Sequence, residues 1–350
     1  VAAGLGAALT TGVLVDRRIG RRLVAEARVG DADELGSLRG EVHTVRTDDG
    51  IELHAEVDER APYAGERAGA GSEELTLVFV HGFALNLDCW HFQRAAFRGR
   101  RRMVFYDQRS HGRSDRSPEG NATIDQLGRD LWRVLEELAP GPVVLVGHSM
   151  GGMSIVALAE EHPELFGERI RGVALISTTA GGMRAHRVVS RRIPDALGRR
   201  AVERGMLLAS QRERLVELVR RHGSAVGLRI IDEFAFGDTD VPLSYVMFVD
   251  DMISATPLAV LVEFLPQFDL LDEFHVVKAL GRIPTLIVGG TQDKLTSIGH
   301  ARKLNKHIDD SRLLELEGGG HMPIMEFKDE VNDGIADLLE AAENRHWAAS

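Results

Sequence analysis

Residues 143–156 read VVLVGHSMGGMSIV, with one serine set among glycines between an apolar run and a second apolar pattern. A hydroxyl on such a turn can attack a carbonyl only if a base takes its proton, because serine is a poor nucleophile at neutral pH. The expected base is a histidine oriented by a carboxylate. Downstream, Asp293 stands in TQDKLT after the apolar run TLIVGG, and His321 stands in GGGHMP after RLLELE. Acyl transfer also needs N–H donors for the oxyanion of the tetrahedral intermediate. Met150, directly after the serine, offers one. Phe83 offers the second, in the loop His81-Gly82-Phe83-Ala84, where Gly82 permits a tight fold. A Gly-x-Ser-x-Gly match is weak by itself, since short patterns of common residues recur by chance.

The elements around these residues carry the argument further. Short β-branched runs apolar on both faces predict buried parallel strands at 75–80, 102–106, 143–147, 172–177, 285–290 and 312–317. Helical patterns lie between them, over 88–97, 123–138, 150–161, 298–307 and 327–342. Asp88 reads as the N-cap of the helix through Trp90. His300 and His307 fall on a helix face and read as solvated. EVHTVRTDDGIELHAEV predicts a hairpin whose turn uses Gly50. Alternating strand and helix predicts a doubly wound α/β sheet. Ser149 then falls on a strand-to-helix turn, the context this motif requires. Asp293 and His321 follow strand C-termini, where open α/β sheets build their sites.

The rhythm stops between Gly181 and Arg282. About a hundred residues there read as helical, too long a connection for a loop. Residues 182–229 are rich in arginine, among them Arg191, Arg192, Arg220 and Arg221, and residues 230–281 are rich in acids. Two readings stand: solvated helical faces that attract each other, or a basic lid surface facing anionic headgroups. Phe234, Phe236, Tyr245, Met247, Phe248 and Met252 are candidates for lining a substrate pocket there, although apolar side chains at such spacing also build cores.

Composition narrows the classes. The chain of 350 residues is 44% hydrophobic and 27% charged, with a net charge of -11, a globular balance that gives no general attraction to nucleic acid. Cys89 is the single cysteine, which excludes an intrachain disulfide and a cysteine-based zinc site, and its apolar setting reads as a buried structural thiol. No metal-ligand cluster or phosphate-binding glycine fingerprint is read, so no cofactor is expected. Residues 1–22 hold an apolar run followed by DRRIGRR. Three readings are open: the end of a membrane anchor, a helix packed on the body, or a disordered tail. A cytoplasmic main domain is expected, and as an anchor the trailing arginines point the same way. The chain begins with Val rather than Met, and whether that end is truncated stays open, as does the oligomeric state.

FVHGF, YDQRSHGRSD, VGHSMGG, VGGTQDKLT and GGGHMP occur in this order across most of residues 41–343. In this the chain resembles the α/β-hydrolase fold superfamily, its serine esterase and lipase-like branch. The resemblance implies a mostly parallel eight-stranded sheet flanked by helices. It implies a core over 41–181 and 282–345 and a helical cap over 182–281, preceded by an apolar and basic N-terminal leader over 1–40 that is read from its composition. It implies a triad of Ser149, Asp293 and His321, with His81, His148 and the turn holding Asp107, Arg109 and His111 as structure. Ser110 departs from the family's pattern, standing where a glycine is usual. The expected chemistry is hydrolysis of a carboxylic ester with an apolar or small lipid-like acyl group. The same triad also serves carbon–carbon bond hydrolysis, thioester hydrolysis, acyl transfer and perhydrolysis, and a non-catalytic binding protein on this fold is the remaining alternative.

Overall fold

The computed structural model describes residues 35–61, 74–118, 120–183 and 233–345. The apolar segment 1–22 and residues 184–232 of the expected cap lie outside the described residues.

Eight strands form one sheet: β1 (Glu41–Arg46), β2 (Glu52–Asp58), β3 (Thr76–Val80), β4 (Met103–Tyr106), β5 (Val143–His148), β6 (Ile170–Ile176), β7 (Thr285–Gly290) and β8 (Ser311–Leu316). Their order is β1-β2-β4-β3-β5-β6-β7-β8. β1 pairs antiparallel with β2, and β2 with β4; every other pair is parallel. The hairpin turn closes through Thr47 N to Ile51 O at 3.0 Å, with Gly50 at φ +87° as expected of that position. Because β3 and β5 to β8 run in one direction, the loops after them meet at one sheet edge.

Strand periodicity divides the core. On β5, Val143 and Leu145 face one side while Val144 and Val146 face the other. The first side packs on α2 (Ile124–Leu138), α3 (Met150–Glu161) and α6 (Ile298–His307) through residues such as Leu131, Ile155 and Leu304. The second packs on α1 (His91–Phe97) and α7 (Lys328–Asn344) through Phe97, Val331 and Ile335. Each such aliphatic side chain, fully buried, contributes about 1.5–3 kcal/mol relative to an exposed one. Both strand faces are covered, which explains the continuous apolar runs in the sequence.

The described residues of the segment expected as a cap carry α4 (Leu243–Ala255) and α5 (Leu258–Leu270), each opened by a proline at its N-cap, Pro242 and Pro257. α4 adds Val246 and Met252 to the core on the α1 side, and α5 adds Val260 and Phe264 to a cluster with Met150 and Met153. The segment after α5 rejoins the core through a bridge between Gly181 and Asp272 and a bond from Glu273 N to Ala180 O at 2.7 Å. Among the described residues, no single helix is long and apolar enough to cross a membrane.

Candidate active site

β5 ends at His148 and α3 starts at Met150, so Ser149 makes the whole turn alone. Its backbone sits at φ 52°, ψ -116°, a region non-glycine residues seldom occupy. The strain is held from both sides. Ser149 N donates to Ile176 O at 2.9 Å, and Ser149 O accepts from Thr178 Oγ1 at 2.6 Å. Gly151 is required by space: a Cβ there would collide with the Val80 carbonyl. The result is a half-buried serine whose side chain stands at the sheet edge above the start of α3.

His321 and Asp293 arrive from β8 and β7. Ser149 Oγ lies 3.0 Å from His321 Nε2, and His321 Nδ1 lies 2.9 Å from Asp293 Oδ2. Asp293 Oδ1 accepts from the N–H groups of Leu295 and Thr296, both at 2.8 Å. Its Oδ2 also accepts from Thr296 Oγ1 at 2.8 Å. Burial works against the Asp293 charge, but His321 and the Thr296 donors outweigh it and hold the carboxyl below its ordinary pKa. The carboxylate therefore stays ionised, and its acceptor to His321 Nδ1 fixes the tautomer that leaves Nε2 free to take a proton.

The loop after β3 stands beside the serine. A Cβ on Gly82 would lie 2.7 Å from His148 Nδ1 and 3.2 Å from Ser149 Cβ, so a side chain there would push the loop away. Among the described residues, neither Phe83 N–H nor Met150 N–H donates to a protein acceptor. The Phe83 ring packs against Phe268 of α5 at 5.2 Å and His111 at 5.9 Å, which ties this loop to α5.

Thr296 and Glu326 support the site although the sequence pattern does not single them out. His148, expected as structure, has a definite role there. Its Nε2 donates to His321 O at 2.8 Å, clamping the histidine loop to the serine turn. Burial pushes its pKa down to about 3, so it stays neutral. Glu326 gathers Gly320 N at 3.0 Å, Gly237 N at 2.9 Å and Thr239 Oγ1 at 2.8 Å. Met322 N adds a bond to its other oxygen at 3.2 Å. One carboxylate thus binds the histidine loop to residues 237–239. The only sequence hint of it is an acid five residues past His321.

Other candidates fall elsewhere. His81 donates from Nδ1 to Gly82 O at 2.7 Å and accepts Gln108 N at Nε2 at 2.9 Å, and burial lowers its pKa to about 3. Cys89 is fully buried and burial pushes its thiol pKa far up. Phe236 is a core residue, 1% exposed, and Phe234 is half-buried. Tyr245 packs on Phe92 at 5.2 Å. Met247, Phe248 and Met252 line a cavity of about 500 Å³ together with Arg39 and Asp88, but Ser149 is not among its lining residues. Two expectations are corrected. Asp88 does not cap the helix through Trp90; Asn86 does, accepting Asp88 N at 2.9 Å, because the helix starts at Leu87. Asp88 is instead ion-paired with Arg39. His300 is not solvated: it is half-buried, and Nδ1 meets Thr179 Oγ1 at 2.9 Å. Ser110, at φ 67°, occupies the left-handed region that explains the usual glycine, and its Oγ compensates by accepting Ser117 N at 2.8 Å.

A family model for the alpha/beta hydrolase fold matches residues 76–328. The chain belongs to the α/β-hydrolase family. The hydrolase is 27% identical over 291 residues to the dihydrolipoyllysine-residue acetyltransferase component of an acetoin cleaving system from Pseudomonas putida, covering 81% of this chain and 68% of the relative. It is 26% identical over 269 residues to 3-oxoadipate enol-lactonase 2 of Acinetobacter baylyi, covering 75% and 88%. Among solved structures, an esterase from Exiguobacterium antarcticum superposes with a TM-score of 0.67 at 16% identity, covering 86% of the hydrolase and 100% of that chain. A thermophilic esterase from Thermogutta terrifontis gives 0.63 at 23%, covering 87% and 99%. These structures share the fold of the hydrolase.

Proposed function

We propose that the hydrolase cleaves a carboxylic ester through an acyl-enzyme on Ser149. The observation that carries this reading is the continuous hydrogen-bonded chain from Ser149 Oγ through His321 to Asp293, at 3.0 and 2.9 Å. His321 Nε2 takes the Ser149 proton as Oγ attacks the carbonyl, and Asp293 stabilises the imidazolium that forms. The N–H groups of Met150 and Phe83 receive the oxyanion; a single such donor is worth about 2.7–4 kcal/mol in the transition state. His321 returns the proton to the leaving alkoxide. Water, deprotonated by the same imidazole, then releases the acid. The apolar side chains that α5 packs around Met150 and Phe83 favour an apolar acyl group, and the enol-lactonase relative, by its name, opens an ester bond.

Fluorophosphonate labelling followed by intact mass tests the nucleophile. One adduct is expected on the wild type and none on Ser149→Ala. No adduct on the wild type, or the same adduct on the variant, overturns the reading. A panel of p-nitrophenyl esters of rising chain length beside acyl-CoA thioesters then tests the bond. Turnover confined to thioesters would displace the ester assignment while keeping Ser149.

A further inference from the structure

The return of the cap to the core brings three carboxylates together. Asp125 lies in the first turn of α2, Glu160 in the last turn of α3, and Glu273 three residues past α5. One carboxylate oxygen of each lies within 4.8 Å of the other two. Asp125 and Glu160 are exposed, whereas Glu273 is only 7% exposed. Among the described residues, no hydrogen-bond partner reaches the buried Glu273 Oε2 atom. A buried carboxylate oxygen without a donor is unusual, because burial removes the water that would have served it. Among the described residues, cations barely reach the cluster. The exposed His275 is 3.4 Å from Glu160, and Arg129 near Asp125 already bonds Glu161 at 2.7 Å.

The geometry suits one kind of occupant. Two oxygens bound to one ion stand no further apart than twice the metal–oxygen distance. For calcium, at about 2.3–2.6 Å, that limit is about 4.6–5.2 Å. Three carboxylate oxygens are hard ligands, and the exposed side leaves room for the waters that complete a coordination shell. The C-terminal end of α3 also carries the negative pole of its helix, which favours a cation there.

We propose that Asp125, Glu160 and Glu273 bind a hard divalent cation of calcium type, which staples the returning cap segment to α2 and α3. The site lies apart from Ser149 and its occupancy does not depend on the reaction proposed above.

The test uses the full chain, stripped with chelator and dialysed, with CaCl2 titrated against NaCl at matched ionic strength. Calorimetry is expected to show one saturable calcium site. Thermal unfolding is expected to shift upward by about 4 °C at a hundredfold excess over Kd. Glu273→Gln keeps the shape and removes the charge. It is expected to unfold no earlier than the wild type without calcium and to lose the calcium shift. Asp125→Asn, at an exposed position, is expected to weaken Kd at least about 10-fold, since one charged ligand is lost. No calcium heat on the wild type, an equal shift from NaCl, or an undiminished calcium response in both variants overturns the proposal.

Discussion

The turn after β4 and the loops after β5, β7 and β8 hold buried aspartates and histidines at the same sheet edge, yet they leave different atoms over. In the turn, Arg109 is fully buried and spends its donors on Asp130 at 2.6 and 2.7 Å, on Asp49 at 2.9 and 3.1 Å, and on Ser117 and Asn121 at 3.2 Å. Asp107 accepts Leu87 N at 2.8 Å and Arg113 N at 2.9 Å. Gln108 closes the circuit between His81 and Ser154. His111 Nε2 is the leftover there, in a ring packed between Phe83 and Phe264. Across the edge, the chain from Asp293 through His321 ends on a half-buried serine hydroxyl, and among the described residues the Phe83 and Met150 N–H groups are left unspent. A buried polar network that closes on itself is scaffold; one that ends at an accessible atom can act as a reagent.

The largest expected break is chemical. Ser149→Ala or His321→Ala should lower kcat for the best p-nitrophenyl ester by about 10⁴–10⁶-fold. For Ser149→Ala the unfolding temperature should move by less than about 2 °C, since that change uncovers no buried charge, whereas His321→Ala also leaves Asp293 buried without its partner. A matching loss of stability would place Ser149 on the scaffold side.

Acid should strike the buried histidines on both sides next. His81 and His148 have folded pKa values lowered by burial to about 3, and His111 to about 4. Each is depressed below the unfolded value near 6.5. Their stabilising contribution is therefore present above pH 6.5 and is lost as pH falls toward 4–3. Each should remove about 2 kcal/mol between pH 7.5 and 5. Urea unfolding at the two pH values measures this, and a flat profile would mean these histidines protonate within the fold.

Arg109→Met should cost about 3–5 kcal/mol, because Asp130 remains buried without its partner. That is a drop of about 4–7 °C in Tm, while the kcat of the folded fraction stays near wild type. The smallest effect concerns the link between the histidine loop and residues 237–239. Glu326→Gln keeps the shape but weakens the bonds to Gly320, Met322, Gly237 and Thr239. It should lower kcat about 10-fold, by letting His321 drift, with KM and Tm little changed. An unaltered kcat would mean that the His148 clamp alone sets the loop.

Much of the fold is legible because both faces of the central strands are buried, so their side chains form short β-branched runs that stand out from helical periodicity. The strand at 172–177 starts earlier, at Ile170, since the polar Arg171 hides its first turn of the pleat. Ser149, Asp293 and His321 can be found because each follows such a run directly. Asp88 misleads because its type suits an N-cap, while helix onset two residues earlier gives that place to Asn86. Glu326 leaves almost no trace, as its partners are mainly backbone N–H groups, which have no residue identity to read.

Local pattern and residue type alone determine the α/β alternation, the serine on its turn and the loops that carry Asp293 and His321. Packing decides the rest. Whether Ser149 Oγ stands 3.0 Å from His321 Nε2 depends on the registers of β5, β6, β7 and β8 and on residues 172 positions apart. Whether Glu273 faces Asp125 and Glu160 depends on how the chain after α5 returns against α2 and α3. Hydrogen-bond satisfaction and like-charge crowding are properties of what surrounds a group once water has gone, and only the folded chain supplies those surroundings.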